Sequence, residues 1–101
     1  MKDILEKQKE LMNYIPHGHK VPDRVQGSVV ASMGIIEETM EYLNAIGFKS
    51  WRPIPLPRAS QLEELTDILF FYSELVIYSG FTFEDIKEEY YRKWEVNMDR
   101  Y

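Results

Sequence analysis

The sequence predicts an all-α fold, a four- to five-helix bundle. Four segments place apolar residues at helical spacing, and none sustains an alternation of period two. Each segment is bracketed by residues that start or stop helices. The first runs from Asp3 to Ile15, with Ile4, Leu5, Gln8, Leu11, Met12 and Ile15 along one side, and Pro16 ends it. A polar connector follows, containing His17 and His19, and Asp23 caps a second helix that continues to Ile46 and stops at Gly47. The stretch from Lys49 to Ala59 carries Pro53, Pro55 and Pro57 at alternate positions and reads as extended. Ser60 and Glu63 form a capping box that opens the third helix, which closes at Gly80. Thr82 and Asp85 open the fourth, with apolar residues at Phe83, Ile86, Tyr90, Trp94 and Tyr101. Its Tyr90, Tyr91 and Trp94 are expected to pack in the core or against a second copy.

At 101 residues the chain has room for one domain, spanning 1–101, and 45% apolar content is ample for a packed core. The formal net charge of −5 argues against binding polymeric nucleic acid, because no basic field is present to replace counterions along a backbone. The absence of cysteine removes disulfides, thiolate nucleophiles and Cys-based metal sites. No run approaches the ~18 apolar residues of a membrane span. The charged opening, Met1 to Glu6, lacks the apolar stretch of a signal peptide. A soluble, cytoplasmic protein with no membrane partner is expected.

The second helix has two unlike stripes. Val25, Val29, Ile36, Met40 and Leu43 form an apolar one. Opposite lie Gly27, Ala31, Gly34, Glu38, Glu41 and Ala45. Two interior glycines cost about 1 kcal/mol each relative to alanine, so the small stripe implies close approach by a neighbouring helix or by a ligand. On the third helix Leu62, Leu65, Leu69, Tyr72 and Val76 make one apolar face, while Glu64 and Asp67 share another with Phe71, Leu75 and Tyr78. A helix apolar nearly all round belongs at the centre of the bundle. If the two helices pack face to face, Glu38, Glu41, Glu64 and Asp67 converge. Like charges raise one another's pKa, and a divalent cation resolves the conflict. All-oxygen ligation suits Mg²⁺ or Mn²⁺. No histidine lies on either helix, which disfavours a di-iron site. The plain alternative is a pair of solvated acidic faces.

On the fourth helix Lys93, Asn97 and Arg100 share a face. Cations beside a metal-filled acidic site suit a polyphosphate, but the same residues also complement a helix C-terminus. His17 and His19 read as a solvated loop, since two imidazoles without a third ligand make a poor metal site.

Glu37-Glu38-Thr39-Met40-Glu41 followed by Glu64-Leu65-Thr66-Asp67 resembles the paired EExxE and ExxD motifs of the all-α NTP pyrophosphohydrolases, a superfamily that includes MazG-like proteins and dimeric dUTPases. Lys93, Asn97 and Arg100 are similar to its later K-x-x-x-N-x-x-R element. Asn44 and the segment Phe48-Lys49-Ser50-Trp51 resemble the dimeric dUTPase branch. One departure is Phe70, where those dUTPases tend to carry histidine, and it favours a broader MazG-like hydrolase over strict dUTP specificity.

The resemblance implies hydrolysis of a nucleoside triphosphate to its monophosphate and pyrophosphate. In that reading Glu38, Glu41, Glu64 and Asp67 hold Mg²⁺, with Mn²⁺ as an alternative. Glu41, with Glu38 beside it, orients or deprotonates the attacking water. Lys93 and Arg100 bind the phosphates, and Asn97 bonds phosphate or sugar. Trp51 is a stacking surface for the base with Phe48 behind it, or else a loop anchor. Gln8 and Asn13 read the base edge, or are ordinary exposed helix polarity. Family members are dimers or larger, so a homodimer or homotetramer is expected. The rival from another class is an inactive helical relative that serves as an interaction or nucleotide-binding protein.

Overall fold

The architecture follows from how closely two long helices approach. In a computed structural model, which describes residues 2–14 and 23–101, α2 spans Arg24–Ala45 and α3 spans Arg58–Ser79. Together they form an antiparallel hairpin. The small stripe of α2 faces α3: Gly27, Ala31, Gly34 and Ala45 are all buried. A Cβ added to Gly27 would lie 2.3 Å from Cδ1 of Tyr78, and one added to Gly34 would lie 2.3 Å from Cδ1 of Phe71. The rings occupy the space that side chains would take. A step of seven along α2 is answered by a step of seven back along α3, so two turns of each helix keep the same register.

Helix α1 (Lys2–Tyr14) packs across α3, and α4 (Phe83–Arg100) follows after a tight turn. Among the described residues every regular element is a helix. The core is small. Leu5, Val76 and Phe83 are buried together, with Ile4, Tyr72, Ile77 and Ile86 packed against them, and the Tyr72 and Phe83 rings sit 6.1 Å apart. α3 is thus the central helix, touching α2 on one side and α1 on the other.

Most expected boundaries hold. Asp23 caps α2, its side chain accepting from the Gln26 amide at 2.8 Å. Thr82 and Asp85 form the reciprocal capping box of α4. Gly47 and Gly80 adopt the left-handed conformation (φ 74° and 81°) that ends α2 and α3. The start of α3 differs from expectation. The helix begins at Arg58, two residues before the proposed Ser60–Glu63 box, and Pro57 at its cap makes no side-chain cap bond. The amides of Ser60 and Gln61 donate to the Pro57 carbonyl. The buried Gln61 side chain ties the entry together, donating to the Leu56 carbonyl and accepting from Arg58, both at 2.9 Å. With those bonds made, no serine cap is required, and Arg58 and Ala59 are helical rather than extended. Ile15, the expected end of the first helix, and the whole connector that follows, with Pro16, His17 and His19, lie outside the described residues.

The apolar stripe of α2 points outward instead of into the core. Val25 is 70% exposed, and Val29, Ile36 and Met40 are exposed too. Leu62 and Leu65 of α3 and Tyr90, Tyr91 and Trp94 of α4 share that status, so those three α4 aromatics do not enter this chain's core, whereas Phe83 does. The radius of gyration of 16.3 Å exceeds the ~13 Å of a close-packed domain this size.

The ring-on-glycine contact yields a direct test. Gly34→Ala gains about 1 kcal/mol of helix propensity but forces a methyl into the Phe71 ring, and overpacking costs about 1–3 kcal/mol. A net loss of stability is expected in urea melts, relieved when Phe71→Leu is added. A more stable Gly34→Ala would show that the helices can part freely.

Candidate functional site

The register that seats Phe71 on Gly34 also aligns the acids. Glu38 lies one turn beyond Gly34 on α2, and Asp67 one turn before Phe71 on α3; Glu41 and Glu64 follow in the next turn. Carboxylate oxygens of Glu38, Glu64 and Asp67 all lie within 4.8 Å of one another, and the three side chains are half-buried. Glu41 is more exposed and stands outside this trio. It is still near enough for its charge to act on both Glu38 and Glu64.

The electrostatics record the crowding. Desolvation, then the charges of Asp67 and Glu64, push the Glu38 carboxyl above its ordinary value. Glu64 is raised in the same way, first by desolvation and then by Asp67 and Glu41, with a hydrogen bond to Glu38 pulling back. Among the described residues no side-chain cation is among the groups acting on either carboxyl. The donor set fits a hard cation. Six-coordinate Mg²⁺ at 2.0–2.1 Å from oxygen places its ligand atoms about 3 to 4 Å apart, a spacing that small rotamer adjustments reach from here. Oxygen-only ligation favours Mg²⁺ or Mn²⁺ over softer metals.

A cavity of about 420 Å³ opens on the neighbouring face of α3, where α1 crosses it. Ile4, Gln8 and Leu11 of α1 face Thr66, Phe70 and Ser73 of α3 across it. The Gln8 side chain, one of the base-edge candidates, is buried here at 5% exposure. Asn13 is exposed on α1 and does not border the cavity. Trp51 is 78% exposed, with the Lys49 ammonium 6.0 Å from its ring centroid, so it does not anchor the loop on the bundle. Phe48 is half exposed in the same loop. Lys93 and Asn97 border a separate groove with Tyr72, Ile86 and Trp94, which none of the four carboxylates lines, and Arg100 is exposed beyond it.

Sequence reasoning did not single out Ser73, whose Oγ is fully buried without a hydrogen-bond partner. A serine amid an apolar helix gives no periodic signal. Only its position between α1 and α3 marks it.

The raised carboxyls carry a sign that can be checked. A folded-state pKa above the ordinary value means each group favours folding while protonated. That contribution is present below the ordinary glutamate range and is lost as pH rises through the raised values. In metal-free protein at neutral pH, Glu38→Gln should therefore raise Tm, and the gain should shrink as the pH is lowered toward about 4. Calorimetry in chelator measures it; an unchanged or lower Tm at neutral pH would remove the repulsion from the account.

No curated protein and no solved structure gives a significant match to this sequence. A family model described as dUTPase matches residues 1–80, which take in α1, the acidic hairpin and the exposed Trp51 loop. The chain belongs to the dUTPase family, the all-α, MazG-like group of nucleotide pyrophosphohydrolases.

Proposed function

We propose that this protein is a cytoplasmic, Mg²⁺-dependent hydrolase converting a (deoxy)nucleoside triphosphate and water to the monophosphate and pyrophosphate, with dUTP among its substrates. The observation that carries the reading is the convergence of Glu38, Glu64 and Asp67 oxygens within 4.8 Å on an antiparallel helix pair. Glu38, Glu64 and Asp67 would hold the metal, with Glu41 at the edge of the site. Mn²⁺ would serve in place of Mg²⁺. When bound, the cation neutralises phosphate charge and lowers the pKa of a coordinated water.

The remaining work falls to the chain's own groups. Glu41 is exposed enough to accept a proton from the attacking water and stands within one turn of the acidic trio. Glu38, one turn away on the same helix, would help to orient that water. Lys93 and Arg100 would supply positive charge to the phosphate chain and Asn97 a neutral amide, a role that rests on their motif, since they border a groove apart from the acids. The base enters the cavity between α1 and α3, where Gln8 offers both a donor and an acceptor. Trp51, backed by Phe48, would be the stacking surface, although neither lines this cavity, and with Asn13 also outside it the edge-reading role falls to Gln8. The outward stripe of α2 and the exposed aromatics of α4 favour a homodimer or homotetramer, since a chain this open leaves apolar surface that a second copy would cover.

A panel of canonical and deoxy-NTPs with Mg²⁺ tests the reading. Pyrophosphate should be released, with loss of activity in EDTA. Asp67→Asn should lower kcat by more than the roughly 10–100-fold typical of losing a supporting group, with helical content intact. Turnover of no triphosphate with either Mg²⁺ or Mn²⁺ would leave an inactive helical relative. Trp51→Ala should raise KM without lowering Tm; an equal fall in Tm would make it a structural residue instead.

A further inference from the structure

The cavity between α1 and α3 contains its own aromatic ring. Among the described residues that line it, Phe70 alone is aromatic, and Trp51 and Phe48 stand outside. The charged members of the lining, Asp3 and Lys7, are exposed and mark its rim, where Lys7 pairs with Glu10 at 3.5 Å. Within, Ile4, Leu11 and Leu69 are apolar, and the Thr66 hydroxyl donates to the Leu62 carbonyl of its own helix at 2.8 Å. Ser73 has no accessible surface to offer. The buried Gln8 amide remains for a polar ligand, and it makes no hydrogen bond to another described residue. Apolar walls, one ring and one unengaged amide suit a flat molecule with a polar edge.

Helical geometry sets Phe70 between this cavity and the acids. It lies about 60° round α3 from Asp67 and one turn, roughly 4.5 Å, along it. The other α3 residues of the lining, Thr66, Leu69 and Ser73, stand about 100° or more from Asp67. The next residue, Phe71, turns the other way and rests on Gly34, so the helix pairing fixes the backbone at this point. The Phe70 ring itself stays accessible, at 48% exposure. A benzyl side chain neither ligates a metal nor neutralises phosphate, and what it offers a ligand is its face.

We infer that Phe70 is the stacking ring of the base site: a bound nucleobase lies on its accessible face while the Gln8 amide meets the base edge. The inference rests on the proposed reading of this cavity as the base pocket. Phe70 supplies from within the cavity a contact that Trp51 could make only from outside it. Every base has a π-face, so stacking holds all of them and ranks them weakly. Ranking falls to Gln8, whose amide both donates and accepts. Affinity for a base and choice among bases thus come from different helices, α3 and α1.

The test is binding rather than turnover. Calorimetric titration of the five common deoxynucleoside monophosphates in Mg²⁺, with deoxyribose 5-phosphate as the base-free control, compares the wild type with Phe70→Leu, Phe70→Tyr and Gln8→Ala. Phe70→Leu keeps apolar bulk and removes the π-face. It should weaken all five nucleotides about fivefold to tenfold, preserve their order, and leave deoxyribose 5-phosphate and Tm unchanged. Phe70→Tyr should bind as the wild type does, and Gln8→Ala should change the order. In the wild type, NMR should show contacts between the Phe70 ring protons and H6 or H8 of the bound base. A Phe70→Leu variant that matches the wild type, with no such contacts, overturns the inference and leaves the base pocket standing. A wild type that binds nucleotides no more tightly than deoxyribose 5-phosphate overturns the pocket reading itself. Loss of Tm and of all six ligands alike in Phe70→Leu, with ring contacts absent in the wild type, makes Phe70 structural.

Discussion

Two aromatic rings resting on two glycines set the geometry from which the rest follows. Tyr78 and Phe71 lie where Gly27 and Gly34 have no side chains, so α2 and α3 approach more closely than helices separated by ordinary side chains. Gly27 and Gly34 sit seven residues apart, as do Phe71 and Tyr78, which locks the pair in one register. Sliding by one turn would drive a ring into Ala31 or a larger side chain. The same lock aligns Glu38 with Asp67 and Glu41 with Glu64. The two glycines each sacrifice about 1 kcal/mol of helix propensity. What they gain is a fixed distance between acids that repel one another.

That repulsion distinguishes the hairpin from a merely stable one. Half-burial and neighbouring charge move the Glu38 and Glu64 carboxyls in the same direction, upward. A helix pair selected only for stability would place a cation or an amide opposite these acids. Their nearest charged neighbours are instead further acids, on both helices. The net charge of −5 is therefore less a statement about solubility than about where negative charge has been gathered.

Much of this was readable in the sequence, and the exceptions share a cause. Asp23, Thr82 and Asp85, Gly47 and Gly80 act through local backbone bonds, so their roles are legible one residue at a time. The pairing of Glu38 with Glu64 and Asp67 follows from helical period and the small stripe. Failures occur where a distant partner decides. The Ser60–Glu63 pattern matches a capping box, but the Gln61 side chain, bonded to Leu56 and Arg58, starts the helix earlier. Period identifies two stripes on α2 without saying which turns inward. Apolar content points to the Val25 side, and the fold buries the glycine side because rings from α3 fill it. Gln8 falls on the apolar side of α1 by period, Ser73 carries no such signal, and the burial of both depends on how α1 crosses α3.

The outward stripe connects these levels. Val25, Val29, Ile36 and Met40 lie on the back of the helix whose front carries Gly34, Glu38 and Glu41. A helix is stiff across its short axis, so force on its back is transmitted to its front within a few ångströms. Anything that packs on that stripe bears on the acid cluster through α2 alone. The intrachain core of Leu5, Val76 and Phe83 sits on the other side of α3, beside α1 and α4, and leaves α2 held chiefly by its contact with α3. Support for the outer face of α2 and precision in the acid cluster are therefore one mechanical problem: the small stripe fixes how near the acids come, and the apolar stripe governs how firmly they are held there.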